Sequence, residues 1–233
     1  VPYEEYRAFF ESFVRSRLTS FYDAIKPFYQ ARGGNPDSLT YFRAHWPRFE
    51  AMIDATRACF VEPSALNTVC EIGSFYPYTT LYFKWLNPAL KIDLFDIMPR
   101  EIGSPGYDID GVRLVDLNLC TEPLPKAGHD VVVLSEVIEH LPIDLFAFER
   151  AVIDTVAPGG ILVVTYPLGG KNAKDYGKVF ADRNMERLQE DHVREFTVDT
   201  VPLFFKSMNL IDQRDVRYPA YGLIRVCSYQ RSI

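Results

Sequence analysis

The sequence predicts an α/β fold: a seven-stranded, mostly parallel sheet with an antiparallel last strand, helices on both faces, and a helical segment ahead of it. Three observations predict it. From Thr68 onward, short β-rich runs alternate with helical stretches across short connections, the pattern of a parallel sheet covered by helices. Several of these runs end in a carboxylate or a small polar residue, at the edge where open α/β sheets build their sites. The last two runs are separated by only Pro219-Ala220-Tyr221-Gly222, which reads as a hairpin.

Residues 1–62 read as helical. Phe10, Phe13, Val14, Leu18, Phe21, Ile25 and Phe28 recur at steps of three and four, an amphipathic helix pattern. Gly33-Gly34 and Asn35-Pro36-Asp37 stop that helix. A second helix is expected to start at Pro47, with Phe49, Met52, Ile53, Thr56 and Phe60 on its inner face, because proline suits a first helical turn. This segment holds 14 of the chain's 33 aromatic residues. Two roles stay open for it: helices packed against the main domain, or a lid lining an acceptor pocket.

The main domain is expected over residues 63–233, with 168–197 as an insertion on the acceptor side. Its first strand is Thr68 to Ile72, followed by a helix from Tyr78 to Leu86. Further strands are expected at Ile92–Ile97, Val112–Asp116 and Asp130–Ser135. A helix follows over Ile143–Val156, with Phe146, Ala147 and Ile153 inward. Ala157-Pro158-Gly159-Gly160 turns the chain into the strand Ile161–Tyr166. A helix from about Val198 to Met208 precedes the closing strands Leu210–Tyr218 and Leu223–Gln230.

Composition narrows the function classes. A net charge of −6 counts against extended nucleic acid as a partner, since phosphate binding needs an excess of Lys and Arg. Lys171 to Arg194 carries six basic but also five acidic residues, and reads as a solvated face. No apolar run approaches the roughly 18 residues that span a bilayer, and no secretory leader is visible. Cys59, Cys70, Cys120 and Cys227 form no CxxC pair and are expected to be free thiols in a cytoplasmic protein.

The strand ends carry the chemistry. Glu71 lies two before Gly73 at a strand-to-helix turn, Val69-Cys70-Glu71-Ile72-Gly73-Ser74. A glycine there lets a ligand approach the backbone. A dinucleotide pyrophosphate would need G-x-G-x-x-G, and Phe75, Tyr76 and Pro77 stand where further glycines would be. That disfavours a nucleotide-dependent oxidoreductase. Asp96, at the end of the second strand beside Ile97, is placed to hold the two hydroxyls of a ribose. Asp116 and Leu117 can bind an adenine amino group and its ring face. The run Asp130 to Pro142, DVVVLSEVIEHLP, delivers Ser135, Glu136, Glu139 and His140 to the same edge.

Taken together, these motifs resemble the class I S-adenosylmethionine-dependent methyltransferases, and most the broad type 11-like small-molecule group. The resemblance covers roughly Thr68 to Gln230. Glu71-Ile72-Gly73-Ser74 resembles the family's first motif, Asp96 its ribose-binding acid, and Asp116-Leu117 its adenine-binding pair. Asp130 to Leu141 resembles its fourth-strand motif, and Ala157-Pro158-Gly159-Gly160 the turn before its fifth strand. Pro77 departs from the family's glycine; proline is tolerated in a first helical turn.

The resemblance implies a Rossmann-like methyltransferase with S-adenosyl-L-methionine as cofactor and a small-molecule acceptor. It implies cofactor contacts from Glu71, Gly73, Ser74, Asp96, Ile97, Asp116, Leu117, Ser135 and Glu136. A hydroxyl acceptor, preferred here over an amine, needs a general base, and histidine titrates in the useful range. His140 and His192 are the candidates, with a helix-end role and a lid-orienting role as their alternatives. Glu136, Glu139 and His140 stand at helical spacing. With His192 they compose an alternative divalent-metal set, similar to that of small-RNA 2′-O-methyltransferases. That metal-assisted reading is not favoured. A binding protein that keeps the fold without catalysis, and a homodimer through the aromatic segment, stay open.

Overall fold

The computed structural model describes residues 3–15, 38–59, 63–73, 77–96, 109–168, 196, 204–218 and 222–233. Its strands are β1 (Thr68–Ile72), β2 (Lys91–Asp96), β3 (Val112–Asp116), β4 (His129–Ser135), β5 (Val156–Leu168), β6 (Asn209–Tyr218) and β7 (Gly222–Gln230). Its helices are α1 (Tyr3–Phe13), α2 (Ser38–Cys59), α3 (Tyr78–Leu86) and α4 (Leu145–Thr155).

The seven strands form one sheet in the order β3-β2-β1-β4-β5-β7-β6. β1 to β5 pair in parallel. β7 inserts antiparallel between β5 and β6. The order reverses between β1 and β4, and a crevice opens outside the carboxyl ends at such a switch point.

Alternating side chains split the core into two layers. Val69, Ile92, Leu94, Val131, Val133, Ile161 and Val163 face α1, α2 and α3. Cys70, Ile72, Phe95, Val132, Leu134, Leu162 and Val164 face α4 and the chain around Phe205. Both faces of the central strands are buried, so those strands read as continuous apolar runs.

α1 and α2 are joined by an antiparallel polar seam: Tyr3 on Asp54, Arg7 Nε donating to Glu50 at 2.7 Å, and Arg43 forked onto Glu11 at 3.0 Å. Beneath it Tyr6, Phe10 and Phe13 are buried, and the Tyr6 hydroxyl donates to the Tyr78 carbonyl at 2.5 Å. α2 lies across β5, β7 and β6 on the same face, burying Phe49, Met52, Ile53 and Thr56. The N-terminal helices are therefore part of the packed core.

Four sequence expectations change. α2 begins at Ser38, and Pro47 lies inside it; the seam to α1 and the buried His45 hold the turns ahead of the proline. In α4 the inward residues are Phe148, Val152 and Thr155, with Ile153 partly buried against the same layer as expected, whereas Phe146 is 62% exposed and Ala147 is exposed. The Asp144 side chain caps the amides of Phe146 and Ala147 and so sets the helix's phase. Residues 157–160 belong to β5 as a bulge, since His129 faces Val156 while Val131 faces Ile161. Residues 204–208 are turns rather than the end of a helix. Phe205 there has φ 55°, and its amide donates to the buried Glu149 at 2.6 Å. The other residues of that expected helix, and residues 16–37 of the first, lie outside the described residues.

All four cysteines are free. Among the described residues no helix is long and apolar enough to cross a membrane.

Candidate functional site

The carboxyl ends of β3, β2, β1 and β4 are flush. Asp96 stands beside Asp116, Ile72 beside Phe95, and Ile72 beside Leu134. This register brings Glu71, Gly73, Asp96, Asp116, Leu117, Ser135 and Glu136 to one edge. Ser74, Ile97 and His192 lie outside the described residues.

Gly73 has φ +73° and donates its amide to the Phe95 carbonyl at 2.8 Å. A β-carbon there would meet Val137 Cγ2 at 2.2 Å. Glycine is thus required by backbone conformation and by the close approach of the turn after β4. Pro77 precedes α3, and its carbonyl accepts from the Leu81 amide at 2.9 Å. A proline in this place costs the helix no hydrogen bond.

Glu71 is 3% exposed and accepts from Thr80 Oγ1 at 2.7 Å. Burial pushes its carboxyl up to about 8; Thr80 and Arg48 oppose that rise and Asp96 adds to it. Asp96 is buried, and its carbonyl accepts from the Leu117 amide at 2.9 Å, tying the ends of β2 and β3 together. Leu117 is buried whereas Asp116 is exposed. An acid is thus set at the rim beside an apolar surface.

Ser135 shares a hydrogen bond with Thr165 at 3.1 Å, Oγ to Oγ1. The Glu136 amide donates to the Thr165 carbonyl at 3.2 Å, and Glu136 has φ 54°. Non-glycine residues in that region cluster at functional sites because surrounding structure must hold them there. Residues 137–140 form a turn, closed by the His140 amide on the Val137 carbonyl at 3.0 Å. The helical face expected for Glu136, Glu139 and His140 is absent, because the left-handed Glu136 redirects the chain. Glu136 turns toward Arg48, with Oε2 at 3.7 Å from Nη1. Glu139 is fully buried, and its Oε1 lies 3.7 Å from His140 Nε2. Among the described residues no three His, Cys, Asp or Glu side chains converge to hold a metal.

Sequence reasoning passed over Arg48. It is 5% exposed and projects from α2 to this edge. Its guanidinium lies 4.7 Å from the Phe49 ring centroid. Burial raises the Glu136 carboxyl, and Arg48 is the strongest opposing influence. His45, one turn earlier, is pushed down to about 2 by burial and by Arg48, and is therefore neutral. The available signal was position: His45, Arg48, Phe49, Met52 and Thr56 follow one helical stripe, so a cation on it must point inward. Thr80 and Thr165 were also passed over; nothing in the sequence separates them from other buried threonines.

No family model matches the sequence, and no curated protein matches it. The fold is similar to that of the N-methyltransferase NodS from Bradyrhizobium japonicum WM9 in complex with S-adenosyl-L-homocysteine. That likeness has a TM-score of 0.58 at 15% identity, over 81% of this chain and 87% of that one. A Burkholderia thailandensis 1,6-didemethyltoxoflavin-N1-methyltransferase with bound 1,6-didemethyltoxoflavin and S-adenosylhomocysteine is also similar. Its TM-score is 0.58 at 15% identity, over 100% of this chain and 91% of that one. The chain has a methyltransferase fold. The [4+2]-cyclase SpnF is similar too, with a TM-score of 0.61 at 13% identity over 93% of this chain and 95% of that one. The methyltransferase fold therefore also houses a cyclase, and function has to be argued from the site.

Proposed function

We propose that this chain is an S-adenosylmethionine-dependent methyltransferase acting on a hydroxyl of a small-molecule acceptor. The observation that carries the reading is the flush edge of four neighbouring strands: Gly73 after β1, Asp96 ending β2, Asp116 ending β3, and Ser135-Glu136 at the end of β4. Two structures of similar fold hold S-adenosylhomocysteine.

The donor set fits that cofactor. Asp96 is a buried acid for two ribose hydroxyls, Asp116 with Leu117 suits an adenine, and Glu71 and Glu136 suit the cationic amino-acid end. When bound, S-adenosylmethionine supplies an electrophilic methyl group and a neutral thioether leaving group. The protein's task is alignment and proton removal. His140 is half-buried beside the interior Glu139. A carboxylate beside an imidazole helps to orient the ring, so His140 is placed to take the acceptor's proton. The thioether needs no protein acid.

Label transfer from S-adenosyl-[methyl-14C]methionine to matched pairs of hydroxyl and amine small molecules tests this reading. Transfer to hydroxyls is expected. Transfer confined to amines would favour the second reading, an N-methyltransferase, which two of the similar structures suggest by their names. No cofactor binding at all would leave a binding protein of this fold.

A further inference from the structure

Building on the reading of His140 as general base, we propose that Val137 and Thr165 are positioning residues, which together fix the turn carrying His140 against the turn after β1. The turn after β4 has to be held, because its first residue, Glu136, stands at φ 54°. A non-glycine residue keeps that conformation only when its surroundings impose it. Two anchors are in place. Thr165, fully buried on β5, takes the Glu136 amide on its carbonyl at 3.2 Å and shares a hydroxyl–hydroxyl bond with Ser135 at 3.1 Å. Val137, itself buried, fills with Cγ2 the place that a β-carbon of Gly73 would take.

Val137 stands between the two halves of the proposed reaction. Its side chain rests on Gly73, whose own place is fixed by φ +73° and by its amide on the Phe95 carbonyl at 2.8 Å. Its carbonyl accepts from the His140 amide at 3.0 Å and so holds the backbone of the imidazole-bearing residue. The path from Gly73 to His140 is thus one side chain and one hydrogen bond long. Ile138 and Leu141 bury the rest of the turn, while the His140 side chain remains 32% exposed. A base has to meet the acceptor's proton within hydrogen-bond reach, and a misplacement of about 1 Å can cost a reaction about 100-fold. Valine suits the contact because its branched β-carbon leaves χ1 little freedom. Alanine would leave the Gly73 face uncovered and the turn free to shift.

Two variants of the full chain separate positioning from stability. Val137→Ala removes the contact, whereas Val137→Thr keeps its shape but sets a hydroxyl in an apolar layer. Both should lower the melting temperature. Val137→Ala should also lower kcat toward a hydroxyl acceptor by about 30-fold, with S-adenosylhomocysteine affinity held within about three-fold, and Val137→Thr should recover most of that rate. Thr165→Val should lower kcat by about 10-fold, the scale of one hydrogen bond, and Thr165→Ser should restore it. The imidazole proton NMR signals of His140, assigned by their loss in His140→Gln, report on the same turn without an acceptor. They should shift in Val137→Ala and Thr165→Val and return in Val137→Thr and Thr165→Ser. Unmoved signals or undiminished kcat in Val137→Ala overturn the proposal, as do equal losses in Val137→Ala and Val137→Thr, the result of a role in stability alone. If Val137→Ala does not fold, the two Thr165 variants decide by the same comparison. If no hydroxyl compound is turned over, the NMR signals decide alone. Wild-type kcat in His140→Gln removes the general-base reading and this proposal with it, whereas a slow His140→Gln beside a fast Val137→Ala overturns this proposal alone.

Discussion

The two ends of the sheet treat their buried charges in opposite ways. Toward the amino end, Asp93 is gripped by a bidentate Arg113 and by His129 Nε2 at 3.0 Å. These partners outweigh burial and hold its carboxyl below the usual range. Nearby, Asp130 accepts from the Asn67 and Thr68 amides at 2.8 and 3.0 Å, fastening β4 to the start of β1. At the carboxyl end, burial wins: Glu71 rises to about 8 and Glu136 rises as well, beside an arginine at ion-contact distance. On the carboxyl side a non-glycine residue, Glu136, is also held at positive φ. Paired charges stabilise the fold, whereas imperfectly paired ones mark where a ligand is expected to complete the pairing.

Substitutions should therefore separate binding from stability according to the end they touch. The largest effect is expected at His140. His140→Gln should lower kcat toward a hydroxyl acceptor by about 1,000-fold, the middle of the range for one general base, with cofactor affinity within two-fold. Asp96→Ala should weaken S-adenosylhomocysteine by about 100-fold, consistent with loss of charged hydrogen bonds, while the melting temperature moves little. Comparable loss of stability would mean that Asp96 merely ties β2 to β3.

Gly73→Ala tests the frame under the site. It should cost about 3 kcal/mol, from the left-handed backbone and the overlap with Val137. Adding Val137→Ala should recover the overlap part only. Asp93→Asn should cost about 1–3 kcal/mol of stability and leave cofactor binding unchanged, the reverse of Asp96→Ala. Denaturant unfolding of both variants, beside their binding curves, checks the crossing.

The smallest effects are pH slopes of opposite sign. The folded Asp93 carboxyl is lower than the unfolded one, so its contribution is present above about pH 4 and is lost as pH falls through the folded value. Glu71 is raised, so the folded chain binds a proton between about pH 4.3 and about 8 that the unfolded chain releases. Its contribution is thus present at acid pH and is lost as pH rises toward 8. Glu71→Gln should flatten that decline in the ligand-free protein and weaken cofactor binding. A decline that persists in Glu71→Gln would place the titrating group elsewhere.

The central strands were legible in the sequence because they are buried on both faces and bounded by turn residues; Thr68–Ile72 matches residue for residue, as does the partly exposed edge strand Val112–Asp116. The strand-end acids were legible because register follows from strand length. Arg48 was not, since whether a helical cation points inward depends on what covers it. The turn after β4 was not legible either. Glu136, Glu139 and His140 have helical spacing, but whether a helix forms is decided by Val137 packing into the space that Gly73 leaves, a contact between distant segments. Pro47 misled for a related reason: the Arg43–Glu11 fork and the burial of His45 hold helix ahead of it and override its preference for a helix start.

Calorimetric titration of the wild type, Asp96→Ala and Asp93→Asn with S-adenosylhomocysteine at pH 7 is the most direct test of the carboxyl edge as a cofactor site. Saturable one-to-one binding, retained in Asp93→Asn and lost in Asp96→Ala, is the result predicted. Absence of binding at millimolar ligand, or equal loss in both variants, would contradict it.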